Sequence, residues 1–162
     1  NDPVMFFEHK MLYTTKFNDV PEVEEDVCIP FGRARIVAEG ADITVVTNSM
    51  MTIKAEKAVR QLQKEGISAE LIDLRTIVPL DTETIIRSVK KTGKLLIVDE
   101  GHLSFGITGE IASRIMPDVF YDLDAPIQRM GTADVPLPFS PALEFPLIPD
   151  EKKIAAKIRE MV

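Results

Sequence analysis

Residues 42–72 read DITVVTNSMMTIKAEKAVRQLQKEGISAELI, and this stretch decides the fold. Its opening, Ile43-Thr-Val-Val-Thr47, is compact and β-branched, the composition of a strand covered on both faces. Apolar residues then fall at Met51, Ala55, Ala58, Val59 and Leu62, the spacing of one helical face. Asn48 or Ser49 can cap that helix and Gly66 can end it. Ile67 to Ile72 returns to strand character. A strand, a helix and a second strand in such close succession form the crossover unit of a parallel sheet.

The alternation continues toward the C-terminus. After the connection Asp73 to Asp81, Asp81 caps a helix reaching about Lys91 that buries Ile85, Ile86 and Val89. Thr92-Gly93 stops it, and Leu95-Leu-Ile-Val98 is a third buried strand. Ser104 can start a helix through Ile107, Ile111 and Ile115, ended by Pro117. A strand near Ile127–Met130 precedes a proline-rich segment, Pro136–Pro149, expected to run extended over a surface. Asp150 caps a last helix with Ile154, Ala155, Ile158 and Met161 on one face. The fold class expected is α/β, a mostly parallel sheet covered by helices on both sides.

Outward in the other direction, Gly32–Ala38 reads as a short strand. Residues 18–26, with Pro21 and the acidic run Glu22, Glu24, Glu25 and Asp26, read as an exposed linker. Pro3-Val-Met-Phe-Phe-Glu8 is an apolar run of strand length. The division expected is residues 1–15 belonging to a preceding domain, 16–31 a linker, and 32–162 the domain proper.

Composition excludes several function classes. The 162 residues are 45% hydrophobic and 28% charged, with a net charge of −7, which opposes binding to nucleic-acid phosphates. No run approaches the length of a membrane span. The single cysteine, Cys28, precludes an internal disulfide and fits a reducing cytoplasm. Asn1-Asp2-Pro3 has neither a basic nor an apolar leader, and without an initiator Met it reads as a processed or cut start. One Cys and two His, His9 and His102, cannot build a structural zinc site. The acidic run lacks the alternating ligands and central Gly of a calcium loop, and no Gly-x-Ser-x-Gly elbow presents Ser49 or Ser104 as a nucleophile.

Ligands of open parallel sheets bind at the carboxyl ends of the strands. Those ends carry Asn48-Ser49, Asp73 to Thr76, and Asp99-Glu-Gly-His102. His102 is either a proton-transfer or substrate-contacting group, or a loop histidine that only caps or packs. Gly106 and Gly109 match no phosphate-binding fingerprint and read instead as positions of close helix approach. Asp73 and Arg75 read either as an anion-binding pair or as a structural ion pair holding their connection.

Several strings, in order, carry a family resemblance. They are Pro3-Val-Met-Phe-Phe-Glu-His-Lys10, Ile29-Pro-Phe-Gly-Arg-Ala34, Asp73-Leu-Arg-Thr-Ile-Val-Pro-Leu-Asp81, Asp99-Glu-Gly-His102 with Phe105-Gly106 and Glu110-Ile111, Asp124-Ala-Pro126, and Gly131-Thr-Ala-Asp-Val-Pro-Leu-Pro138. Together they resemble the C-terminal half of the β subunit of thiamine-diphosphate-dependent 2-oxo-acid dehydrogenases, of pyruvate, branched-chain or acetoin type. The Pro138-Phe-Ser-Pro141 string leans slightly toward the pyruvate or acetoin types.

The resemblance implies a transketolase C-terminal domain, a three-layer α/β/α sandwich, preceded by a pyrimidine-binding domain whose last strand would be Pro3–Glu8. It implies an α subunit and a second β subunit as partners, with acyl transfer to a lipoyl acyltransferase. Thiamine diphosphate and Mg belong to the full assembly. The cofactor-activating glutamate and the Gly-Asp-Gly motif lie elsewhere in such enzymes, so no cofactor, no metal and no activity is expected of this chain alone. His102 remains the weak catalytic candidate. Asp124, Gly106 and Gly109 are the expected partner-interface residues, Asp124 because an acidic residue there contacts the acyltransferase in a relative. The competing readings are a stand-alone small-anion binding module at Asp99–His102, and the C-terminal domain of another transketolase-like enzyme such as a deoxyxylulose-phosphate synthase.

Overall fold

The computed structural model describes residues 3–14 and 27–162. Five strands and five helices alternate along most of the described chain: β1 (Arg35–Ala38), β2 (Ile43–Thr47), α1 (Ser49–Gln63), β3 (Ala69–Asp73), α2 (Thr82–Thr92), β4 (Leu95–His102), α3 (Ile107–Val119), β5 (Gln128–Thr132), a short α4 (Pro141–Glu144) and α5 (Glu151–Met161). They form one sheet ordered β1-β3-β2-β4-β5. The β2–β3, β2–β4 and β4–β5 pairs are parallel, and only edge strand β1 runs antiparallel, against β3.

Side-chain alternation divides the core into two layers. Val45, Leu71, Leu96 and Val98 face α1 and α5, joining Met51, Ala55, Leu62, Ile154 and Ile158. Their neighbours Val46, Ile72, Leu95 and Ile97 face the other way, joining Ile85 and Val89 of α2 and Ile111 and Ile115 of α3. A strand whose successive residues are all apolar is stable only when both faces are covered, and this sheet meets that demand with two helix layers. The expected α/β/α sandwich is therefore the observed one.

Two of the expected caps form. Asp81 accepts from the Thr84 amide at 3.1 Å and the Ala34 amide at 2.8 Å, tying the start of β1 to α2. Burial disfavours the ionised Asp81 carboxylate, but those amides and the Thr84 hydroxyl outweigh it and hold its pKa below the usual value. Asp150 accepts from the Lys153 amide at 2.8 Å. Gly93 closes α2 in the left-handed region, φ 69°. Glu70, buried in β3, receives the ammonium of Lys91 from α2 and the Gly40 amide. Thr44 of β2 holds Ser88 and Thr92 at 2.7 Å each, so α2 is docked by polar as well as apolar contacts.

Several expectations are corrected. Pro3–His9 is not a strand, because no strand of the described sheet runs beside it; a 3-10 turn follows at Lys10–Tyr13. Pro117 lies inside α3 rather than ending it: it sits in the last turns, and the Ser113 carbonyl it leaves free is on an exposed stretch of the helix. The α3 N-cap is Gly106 and not Ser104. Asn48 occupies the α1 N-cap without a side-chain hydrogen bond. The Pro136–Pro149 segment is not extended throughout, since α4 and a 3-10 turn at Phe145–Leu147 fold within it. Of the expected 16–31 linker, residues 27–31 are exposed and irregular, and 16–26 lie outside the described residues.

Candidate functional site

The parallel strands end together at one edge of the sheet. Three non-glycine residues with positive φ follow three adjacent strands there: Ser49 (47°) after β2, Arg75 (57°) after β3 and Phe105 (57°) after β4. Strain of this kind persists only where surrounding structure enforces it. The richest of these ends is β4, which runs four residues beyond Val98 and carries Asp99, Glu100 and His102 within the strand.

The longer β4 follows from its pairing with β5. After an irregularity beyond Val98, the register resumes with His102 opposite Thr132. The Thr132 hydroxyl donates to the Glu100 carbonyl at 2.7 Å, and the Leu103 amide donates to the Thr132 carbonyl at 3.1 Å. Beyond the pair, the Ser104 amide and hydroxyl both donate to the Asp134 carboxylate. Those two hydrogen bonds, with attraction from His102 as a smaller contribution, hold the Asp134 pKa below its usual value. His102 Nδ1 lies 2.9 Å from the Ala133 carbonyl. A carbonyl can only accept, so Nδ1 carries the proton and Nε2 is the nitrogen left to accept one.

This geometry decides what the cluster can do. His102, Ser104, Phe105, Asp134, Val135 and Pro136 line a shallow surface hollow. Ser104 gives its proton to a carboxylate and not to a histidine nitrogen, so the three polar residues do not form a nucleophile–base relay. His102 can exchange a proton or orient a partner through Nε2. Among the described residues no group of three or more His, Cys, Asp and Glu side chains is arranged to hold a metal.

The other expected site residues separate. Gly106 is required by close approach within its own loop, since a Cβ there would collide with the His102 carbonyl. Gly109 lies against the Arg129 guanidinium, whose Nη1 donates to the Leu103 carbonyl at 3.2 Å. Asp124 is exposed at the far end of α2, where its amide donates to the Gly93 carbonyl at 2.8 Å and its carboxylate overlies the Gly93 Cα. Asp73 and Arg75 form no guanidinium–carboxylate pair; the contact is the Arg75 amide to Asp73 at 3.3 Å. His9, unassigned by sequence reasoning, reaches Glu100 at 3.0 Å while Leu12 of the same segment packs on the α1 core layer. No local spacing could announce a contact between residues 91 apart.

With that geometry in hand, the similarities to known proteins become informative. The family model "Transketolase, C-terminal domain" matches residues 32–154. The β subunit of the pyruvate dehydrogenase E1 component from Rickettsia felis is 46% identical over 99% of this chain and 48% of its own length. The 2-oxoisovalerate dehydrogenase subunit β of Bacillus subtilis is 42% identical over 99% of this chain and 49% of its own. The acetoin:2,6-dichlorophenolindophenol oxidoreductase subunit β of Cupriavidus necator is 43% identical over 99% and 46%. The chain thus spans about half the length of the curated relatives it matches. A solved split-gene transketolase, described as an inactive β4 tetramer, superposes with a TM-score of 0.71 at 27% identity, covering 88% of this chain and 45% of that one.

Proposed function

We propose that this chain, which belongs to the transketolase C-terminal domain family, is the C-terminal half of the β subunit of a 2-oxo-acid or acetoin dehydrogenase, where it serves subunit association. The observation that carries this reading is identity of 42–46% to three such β subunits, over 99% of the chain in each case. In it, residues 1–15 close a preceding pyrimidine-binding domain, 16–31 connect, and 32–162 form the associating domain. The partners are an α subunit, a second β subunit and a lipoyl acyltransferase, in the cytoplasm. Thiamine diphosphate and Mg are held by the assembly, where they supply the decarboxylation chemistry, and this chain by itself is inactive.

Asp124, Gly106 and Gly109 are assigned to the association surface. Gly106 acts by letting the β4–α3 loop close over the His102 carbonyl, Gly109 by leaving room on α3 for the Arg129 guanidinium, and Asp124 by presenting a carboxylate. His102, exposed beside Asp134, contacts a neighbouring subunit through Nε2. The large exposed side chains Phe105, Val135 and Phe139 give this edge the apolar character of a subunit interface.

The test is reconstitution of the intact protein with its α-type partner, thiamine diphosphate and magnesium. Reduction of an artificial electron acceptor is followed with pyruvate, 3-methyl-2-oxobutanoate and acetoin in parallel. Turnover by the pair and none by either chain alone is the expected result. Turnover by this chain alone, or failure of the two to associate on light scattering, would overturn the reading.

A further inference from the structure

The β4 extension that carries His102 is tied to a part of the chain far from it in sequence. His9 Nε2 lies 3.0 Å from one carboxylate oxygen of Glu100 and 3.2 Å from the other. The ring is oriented from its other side. Its Nδ1 accepts from the Met11 amide at 3.3 Å, as N-cap of the Lys10–Tyr13 turn, so in the neutral ring Nε2 carries the proton and donates to Glu100. His9 thus has the opposite tautomer to His102, whose Nδ1 bears the proton. The neighbouring carboxylates are engaged elsewhere: Glu8 takes the Tyr13 hydroxyl and Asp99 the Gly101 amide. With Leu12 seated on the α1 core layer, His9 is a second anchor of residues 9–12 on the domain.

From Glu100 the contacts run on to the hollow. The Thr132 hydroxyl donates to the Glu100 carbonyl at 2.7 Å, and the Thr132 carbonyl accepts the Leu103 amide at 3.1 Å. The two residues after Thr132 hold the polar groups of the hollow: Ala133 takes His102 Nδ1, and Asp134 takes the Ser104 amide and hydroxyl. The strands leave no slack along this run, since Thr132 is fully buried and a Cβ at Gly131 would lie 2.7 Å from the Gly101 carbonyl. Contacts packed this closely carry a displacement onward rather than absorbing it. An ordinary surface pair ends at its own two side chains. This one joins residues 91 apart and sits on the strand that presents His102.

We propose that His9 is a positioning residue, a latch through which residues 3–13 set the placement of the β4 extension and so of His102 and Ser104. The proposal rests on the reading above, in which residues 1–15 close a preceding domain, and makes His9 the point where movement of that domain reaches the hollow.

Two substitutions separate the latch from the turn cap. His9→Gln keeps an N–H near the Nε2 position, within reach of Glu100, and gives up the cap. His9→Asn keeps an acceptor near the Nδ1 position for the Met11 amide and gives up the reach. Hydrogen exchange of the intact protein is followed by mass spectrometry on peptides spanning residues 99–106, with α2 as an internal reference. His9→Asn and Glu100→Ala should each speed exchange across 99–106 about tenfold while α2 keeps its rate, and His9→Gln should exchange as wild type does. The double change His9→Asn with Glu100→Ala should be no faster than either alone. Wild-type exchange at 99–106 in His9→Asn would overturn the latch. Equal acceleration in His9→Gln and His9→Asn would overturn it too, by marking a turn cap, as would acceleration that includes α2, by marking general destabilisation. The exchange needs no partner chain, so a failed reconstitution would strike the function proposed above and not the latch.

Discussion

Arg159 in the last turn of α5 grips Glu65, just beyond α1, with Nε and Nη2 each 2.7 Å from one carboxylate oxygen. The fork-on-fork geometry joins residues 94 apart and lies at the rim of the layer where Ile154, Ala155 and Ile158 enter the core. The Arg159 hydrogen bonds, with a smaller contribution from Gln61, pull the Glu65 pKa down to about 2. Apolar burial docks the last helix, and this exposed fork fixes its rotation.

The first prediction concerns pH. A carboxylate with a depressed folded-state pKa contributes stability that is present above its unfolded pKa, about 4.3 for Glu. That contribution is lost as pH falls from there toward about 2. Hydrogen exchange of the α5 amides at pH 5 and pH 2.5 should show selective loosening of α5 at the lower pH. Glu65→Gln should make the two profiles alike. Equal pH sensitivity in the variant would refute the assignment.

The apolar part of the same contact is larger. Ile158 is fully buried between α1 and the sheet, with Leu62 beside it in one cluster. Ile158→Ala should destabilise the protein by about 2–5 kcal/mol, the range for a large-to-small change in a close-packed core. Denaturant unfolding measures it, with an unchanged m-value expected.

Asp81 gives a third prediction. Its carboxylate serves both α2 and the Ala34 amide, so Asp81→Ala removes a helix cap and strands an amide at the start of β1. A loss of about 1–2 kcal/mol is expected from the cap. Because the Asp81 pKa is lowered, its contribution is present above about 3.9, the unfolded value, and fades as pH falls below it. The gap between wild type and Asp81→Ala should therefore narrow in acid.

How far the sequence foretells this molecule depends on whether a feature is periodic or paired. Ile43–Thr47 and the α1 face announce themselves because burial on both sides, or on one helical stripe, leaves a repeat in the chain. Asp81, Asp150 and Gly93 were legible for a related reason, since caps act on amides or carbonyls only a few residues away. Ser104 pairs instead with Asp134, and His9 with Glu100, and nothing near either residue encodes those meetings. Glu70 shows the same limit within a strand. It looks like a solvent-facing residue in an apolar run, yet it is buried beneath Lys91, which comes from a helix twenty-one residues on. At the candidate site the motif strings were visible, while the His102 tautomer and the separation of Asp73 from the Arg75 guanidinium required the fold.

The last prediction weighs the internal duty of Asp124 against its proposed place on the association surface. Gly93 is left-handed at φ 69°, and a Cβ there would collide with the Asp124 carboxylate. Gly93→Ala thus carries two costs, one of backbone and one of contact. The backbone cost is about 1 kcal/mol, and no change at residue 124 can remove it. The contact cost disappears when the carboxylate is removed, or when its flexible end swings away. Asp124→Ala alone leaves the Asp124 amide on the Gly93 carbonyl, so it should shift stability by less than about 0.5 kcal/mol. Gly93→Ala with Asp124→Ala should then be more stable than the sum of the single changes, the excess measuring the contact. Strict additivity would mean that the carboxylate yields freely and is not fixed by the αL turn. Asp124→Ala in the intact protein should, by contrast, weaken association with a partner subunit while leaving its own unfolding midpoint in place. A variant that unfolds early yet associates normally would assign Asp124 to the turn alone.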